Sequence, residues 1–333
     1  VLNQVGAGVV ITGSGSAAPE MTLDNHQLER MVETSDEWIT ARTGIRERRL
    51  ADAQGSLSAI ATQAAQGAIA MARIAATDLD LIILATSTPD DLFGTACQIQ
   101  NHLGASQAVA FDMTAACSGF VFGMVTAAQF IRTGAYKNVL LIGADILSRW
   151  VDWSDRGTCI LFGDGAGAVV MQAHESDRFL GFELRSDGTQ NNALQLAYRP
   201  QAKEIVNGVN VAQGNFQPIA MNGKEVYRFA VQKVPEVVEK ALFRANLSAE
   251  QIDWLLMHQA NQRILDAVAQ RLNIPTEKVL SNLVRYGNTS AASIPLALDE
   301  AVRQKKIHPG DLIAAAGFGA GLNWGAAIFR WGR

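Results

Sequence analysis

Cys117 stands in the run TAACSGF, within an uncharged stretch from Met113 to Ile131. We read that stretch as a buried helix with Cys117 at its start. Backbone N–H groups and the helix dipole at such an end favour thiolate over thiol, so a lowered pKa is expected there. The small neighbours Ala115, Ala116, Ser118 and Gly119 leave room for a substrate to approach. The matching chemistry is nucleophilic: covalent capture splits one group transfer into two easier steps. Free cysteine is also a common core residue, and position alone leaves both readings open. Cys97 and Cys159 have no such placement and read as structural.

His258 ends the apolar run LLMH, at the C-terminal end of a buried strand, where open α/β sheets bind ligands. A single histidine there also suits a satisfied core position. Asn288, in RYGNTSAAS, would by itself be an ordinary helix N-cap before Thr289 and Ser290. What joins these residues is an internal repeat.

The repeat has an offset of 173 residues. Asp80 in LDLIILATSTPD matches Asp253 in IDWLLMHQAN, and Asn138 in KNVLLIGAD matches Asp311 in GDLIAAAGFG. The offset carries Cys117 to position 290, two residues from Asn288. A pseudo-two-fold axis would bring the two segments together, giving a nucleophile with two polar partners from the other half. Short apolar runs at Leu81 to Ala85, Val139 to Gly143, Leu255 to Met257 and Leu312 to Ala316 suit parallel strands buried on both faces. Helical spacing precedes the first run of each half, through Leu57, Ile60, Ala64, Ala68 and Met71, and through Val226, Ala230, Val234, Val237 and Ala241. Each half reads as strand, helix, strand, helix, strand and a closing strand pair, a layered α/β fold. The halves span 1–175 and 176–333, with the boundary near Ala173 to Arg178. Residues 19–50, charged and Arg-rich, and residues 188–222, rich in Gly, Asn and Gln, depart from the repeat. The second reads as a loop or cap over a site.

Composition narrows the function classes. With 48% hydrophobic and 18% charged residues, the chain of 333 residues is built for a large core, not for disorder. A net charge of −4 gives no global drive toward nucleic acid or anionic lipid. Three cysteines make no disulfide framework, and a cytoplasmic, reducing setting is expected. The start, VLNQVGAGVV, shows no positive leader of a signal peptide. Polar residues such as Thr114, Ser118, Thr126 and Gln129 argue against a membrane span at Met113 to Ile131. Scattered histidines and the lack of C-x-x-C give no zinc spacing, so no metal is expected. ITGSGSAA has the glycines of a dinucleotide loop, but Pro19 follows and no helix starts there. FGDGAGA lacks the Lys-Ser/Thr ending of a phosphate loop.

The stretches TSDEWITARTGIRER, ACQIQ, AFDMTAACSGF, DRGTCILFGDGAGA, DWLLMHQANQRI, RYGNTSAASIPLALDEA and GFGAGLNWGAA run through nearly the whole chain in order. Together they resemble the β-ketoacyl-[acyl carrier protein] synthase III family of thiolase-like condensing enzymes. The resemblance implies a five-layered αβαβα fold from two related halves and a homodimer. It implies that a short acyl-CoA, typically acetyl-CoA, acylates Cys117. Malonyl-acyl carrier protein then loses carbon dioxide and attacks, giving acetoacetyl-acyl carrier protein without any cofactor. His258 and Asn288 would hydrogen-bond the malonyl thioester oxygen as it becomes an enolate. Phe318 would shield the site, and the backbone N–H of Ala320, where relatives often have Gly, would join that of Cys117 in the oxyanion hole.

By the same resemblance Trp38, Arg42 and Arg156 would hold coenzyme A, with Thr34 and Asn261 helping at adenine and pantetheine. Without it, Arg42, Arg46, Arg48 and Arg49 read as a solvated basic face. Arg228, Arg263 and Arg271 would form a basic patch for the acidic carrier protein. Phe93 would set the depth of the acyl pocket from the dimer partner. Residue counts separate the relatives: a thiolase needs a later catalytic cysteine, and elongating synthases use two histidines. The remaining alternatives are a related Cys-His-Asn acyltransferase, a polyketide starter synthase, or an inactive scaffold that binds carrier protein.

Overall fold

A computed structural model describes residues 7–332. Residues 1–6, which hold part of the N-terminus read for a leader, and residue 333 lie outside the described residues. Strands β1 (Gly8–Ala17), β2 (Leu81–Ala85), β3 (Val109–Met113), β4 (Asn138–Ile146) and β5 (Asp164–His174) form one sheet in the order β1-β5-β4-β2-β3. Strands β6 (Phe179–Ser186), β7 (Trp254–Met257), β8 (Val279–Leu280), β9 (Leu312–Gly319) and β10 (Asn323–Arg330) form a second, in the order β6-β10-β9-β7-β8. The two orders are the same, shifted by five strands. So are the directions: the pairs β2/β3, β2/β4, β7/β8 and β7/β9 are parallel, and the others antiparallel. The first sheet ends at His174 and the second begins at Phe179.

Seven helices position the site: α1 (Asp36–Thr43), α2 (Leu57–Ala72), α3 (Ala96–Leu103), α4 (Gly119–Arg132), α5 (Gly223–Arg244), α6 (Gln262–Arg271) and α7 (Ser293–Arg303). α4 and α7 lie between the sheets, in one core with Leu81, Ile83, Leu256 and Ile313. α2 and α3 cover the far face of the first sheet, where Ile82 and Leu84 point. α5 and α6 cover the far face of the second, against Leu255, Met257 and Leu312. This is the expected five-layered αβαβα fold. Successive residues of β2 serve opposite cores, which is why Leu81 to Ala85 has no polar alternation. Each such side chain, fully buried, contributes roughly 1.5–3 kcal/mol.

The helix starts come from local chemistry. Ser56 caps α2 by accepting from Ala59 N, and the Asp90 carboxylate accepts from Leu57 N and Ser58 N at 3.0 and 2.8 Å. Asp112 does the same for the α3 end, accepting from Thr95 N and Ala96 N. These acceptors satisfy N–H groups that a first turn leaves free.

Three expectations need correction. The Met113–Ile131 stretch is not one helix: β3 runs to Met113, a 3₁₀ turn covers Ala116–Ser118, and α4 begins at Gly119. Ala116, with φ of 48°, breaks the helical path before Cys117. Residues 188–222 are more ordered than a loop: an exposed hairpin pairs Tyr198–Val206 with Val209–Phe216, and Leu194–Gln195 pairs with Ala220–Met221. Arg48 is no part of a solvated face. It is fully buried and donates to Leu23 O, Asn25 Oδ1 and Ile160 O, tying segment 19–50 to the first half. Burial lowers its pKa to about 10.

Candidate active site

Cys117, His258 and Asn288 meet at the centre of the molecule, and all three are buried. Each reaches it by a different device. Cys117 sits in the turn that leads into α4, against Gly319 at the end of β9. A Cβ on Gly319 would come within 2.8 Å of Cys117 N and 2.9 Å of its Cβ, so only glycine admits this approach. His258 follows β7 directly, its N–H bonded to Ala316 O at 2.8 Å. Asn288 is clamped through its backbone: its N–H donates to Leu161 O at 2.8 Å and its carbonyl accepts from Gly163 N at 3.0 Å. Gly287, with φ of 63°, makes the bend before it.

Hydrogen bonds fix the working ends. Asn288 Oδ1 accepts from Ser290 N at 3.0 Å, which leaves the amide N–H groups to serve as donors. His258 Nδ1 lies 2.7 Å from Ser293 Oγ, and the Phe318 ring meets the imidazole edge-on at 5.1 Å between centroids. Burial pushes the His258 pKa down to about 3, so the ring is neutral at ordinary pH.

The thiol behaves opposite to the sequence expectation. Burial, opposed by a hydrogen bond from Ser290 and reinforced by the nearby Asp145 charge, pushes Cys117 up to about 12. The helix start was expected to lower it. No cation is among the groups that set this value, and loss of water outweighs the turn's N–H groups.

Two cavities share Cys117 as a wall. One, of about 1600 Å³, is lined by His258, Asn288, Phe318 and Gly319 at its inner end and by Trp38, Arg42, Arg228, Arg263 and Arg271 farther out. The other, of about 720 Å³, is lined mostly by apolar groups, among them Leu147, Trp150, Phe162, Leu196 and Phe216, with Ala320 beside Cys117. The 188–222 insertion supplies Leu194 to both.

The outer residues are also assembled. The guanidinium groups of Arg42 and Arg156 lie 5.6 and 5.0 Å from the Trp38 ring centre. Thr34 Oγ1 is buried without a hydrogen-bond partner among the described residues, and Thr34 lines neither cavity. Asn261 caps α6, accepting from Arg263 N at 2.9 Å, while its Nδ2 donates to Arg42 O at 3.0 Å. Its amide is therefore already engaged. Arg263 stacks on Tyr227 at 5.6 Å, and Arg271 donates to Val231 O. Phe93 stands apart: it is 102% exposed and lines neither cavity of its own chain, while Leu92 beside it reaches the apolar one.

Ser290, Ser293 and Asp145 were not picked out from the sequence. A signal for Ser290 existed, since it is the position to which the repeat carries Cys117. Its hydroxyl lies 3.4 Å from Cys117 Sγ. Among the described residues no group of three or more His, Cys, Asp or Glu could hold a metal ion, and no helix is long and apolar enough to cross a membrane.

Known proteins resemble this chain along nearly its whole length. Residues 111–188 match the family model described as 3-Oxoacyl-[acyl-carrier-protein (ACP)] synthase III, and residues 242–331 match its C-terminal counterpart. The chain is 71% identical over 326 residues to the Beta-ketoacyl-[acyl-carrier-protein] synthase III of Trichormus variabilis, covering 98% of this chain and 99% of that one. It is 72% identical over 326 residues to the protein of the same name in a Nostoc species, with the same coverage. The crystal structure of 3-oxoacyl-[acyl-carrier-protein] synthase III from Aquifex aeolicus superposes with a TM-score of 0.90 at 45% identity, covering 97% of this chain and 100% of that chain.

Proposed function

The chain belongs to the 3-oxoacyl-[acyl-carrier-protein] synthase III family, and from that premise we propose how its own residues divide the reaction. It is an acyl-condensing transferase that carries out the initiating condensation of fatty acid synthesis. Its substrates are acyl thioesters and acyl carrier protein. The finer assignments are our reading.

Cys117 attacks the thioester of acetyl-CoA and keeps the acetyl group. Coenzyme A enters along the larger cavity, with adenine between Trp38 and the Arg42 and Arg156 guanidiniums, and Thr34, next to the Glu33 carbonyl that accepts from Arg156, helping at the adenine end. Pantetheine passes Asn261 and reaches Cys117. The acetyl chain lies on the apolar side, where Phe93 of a second protomer closes the open edge beside Leu92. After coenzyme A leaves, malonyl-acyl carrier protein docks on Arg228, Arg263 and Arg271 and uses the same tunnel. Neutral His258, in the tautomer with Nε2–H that requires the Ser293 hydroxyl to turn from Ser290 O to His258 Nδ1, and the Asn288 amide donate to the malonyl thioester oxygen as carbon dioxide departs. Donors that are neutral and already oriented need no reorganisation as the negative charge builds. Phe318 keeps water from the enolate, and N–H groups of Cys117 and Ala320 hold the oxygen of the acetyl thioester during attack. The enzyme works as a homodimer in the cytoplasm and needs no cofactor.

One observation carries this reading: Cys117 is the wall between a tunnel holding two polar donors and an apolar pocket. The test is the intact mass of purified protein after incubation with acetyl-CoA. One acetyl group on the native chain and none on Cys117→Ala is the expected result. A native chain that stays unmodified while condensing its substrates would overturn it.

A further inference from the structure

A carboxylate without a role in the reaction above is sealed behind the nucleophile. Asp145, in β4, is 0% exposed. Its Oδ1 accepts from Thr86 Oγ1, Ser87 N and Thr88 Oγ1 at 3.1, 2.8 and 2.9 Å, and its Oδ2 accepts from Ala291 N at 3.2 Å. The Ser290 hydroxyl bonds it as well. Thr86 and Thr88 accept N–H bonds from Thr88 and Ile146, so their hydroxyl protons are free to go to Asp145. All five partners can donate to Asp145 and none is a cation, a set that suits the carboxylate form. Burial raises its pKa all the same, which makes it a stronger base than an ordinary aspartate.

Ser290 links this base to the reacting sulfur, its Oγ 3.4 Å from Cys117 Sγ. A hydroxyl has one proton and two lone pairs. When Ser290 donates to Asp145, a lone pair is free to receive the Cys117 S–H. When Asp145 holds the proton, Ser290 donates to the thiolate instead. His258 cannot store that proton, since its ring is held neutral down to about pH 3.

We propose that Ser290 and Asp145 relay the Cys117 proton and that Asp145 keeps it for the life of the acyl-enzyme. This rests on the acyl-Cys117 reading above. In the first step the S–H proton moves to Ser290 Oγ as the Ser290 proton moves to Asp145. The charge passes from carboxylate to sulfur, and the buried net charge does not change. Sγ then bonds the acetyl carbon, the bond to the coenzyme A sulfur breaks, and that sulfur leaves with the electron pair as a thiolate. In water near neutral pH it takes up a proton, since a free thiol titrates at about 8.5. Asp145 is neutral when the malonyl carboxylate arrives, so no buried anion opposes the growing enolate. When condensation releases the Cys117 thiolate, the proton returns through Ser290.

The bookkeeping gives a direct test. Direct delivery of the Cys117 proton to coenzyme A takes up none from solution, whereas storage on Asp145 takes up one per acetyl group. Native enzyme is mixed with acetyl-CoA in weakly buffered indicator dye near neutral pH, with intact mass read on the same samples. One proton consumed per acetyl group is expected, and Ser290→Ala should acetylate at least about 100-fold more slowly. Acetylation with no uptake overturns the relay alone. Failure to acetylate overturns the acyl-enzyme reading and the relay with it. A Ser290→Ala enzyme with native rate and native uptake also overturns the relay.

Discussion

At the residue scale, the proposed roles pair a thiol that is hard to ionise with two neutral side chains, His258 and Asn288, as donors. Cys117 is held near 12 by burial, while His258, near 3, stays neutral wherever the enzyme works. The sign follows for stability. The unfolded chain binds a proton at His258 below about pH 6.5 and the folded chain does not, so acidification from there toward pH 3 favours unfolding at this position. For the proposed reaction, His258 should give no inflection in malonyl decarboxylation between about pH 5 and 8, as a pH-rate profile would show. His258→Ala or Asn288→Ala should slow decarboxylation by about 100-fold or more, and acetylation of Cys117 much less. Separate assays of labelled carbon dioxide release and acetyl incorporation check this, and equal losses would contradict the enolate role. The meeting of Cys117, His258 and Asn288 was legible in the sequence because a repeat ties distant residues together. The direction of the Cys117 shift was not, because desolvation depends on what covers the turn, and that cover comes from β9 and Ser290 in the other half.

At the element scale, strand ends and turns do the positioning. β2 was read at its full length, Leu81 to Ala85, because a strand buried on both faces writes itself as an unbroken apolar run. The start of α4 was misplaced because Met113 to Ala116 is as apolar as the helix after it, and only the positive φ of Ala116 separates them. The 188–222 hairpin was hidden by its exposure, since its strands have no buried face to impose alternation. The contact between the Gly319 end of β9 and the Cys117 turn is one such joint. Gly319→Ala should destabilise the fold by about 1–3 kcal/mol through overpacking. Displacing the nucleophile should lower kcat by about 100-fold. Thermal melts and steady-state rates read the two effects, and native activity would show that the turn does not need this approach.

At the scale of the whole molecule, two copies of one strand order enclose a shared helical layer, and the site lies where the copies meet. Two-sided burial and the 173-residue offset made this architecture legible. What one chain leaves unfinished is the edge at Leu92 and Phe93, which are 82% and 102% exposed beside an apolar cavity. A second protomer covering that edge predicts that Phe93→Asp shifts sedimentation toward monomer and widens the range of acyl-CoA primers accepted. An unchanged oligomer and primer range would remove Phe93 from the pocket. The central claim is that the acyl group waits on Cys117 between two half-reactions. Its most direct test is a single turnover of isolated, isotopically labelled acetyl-enzyme with malonyl-acyl carrier protein. Label should leave Cys117 at the rate at which labelled acetoacetyl-acyl carrier protein and carbon dioxide appear. Label that stays on the protein while product forms would contradict the account.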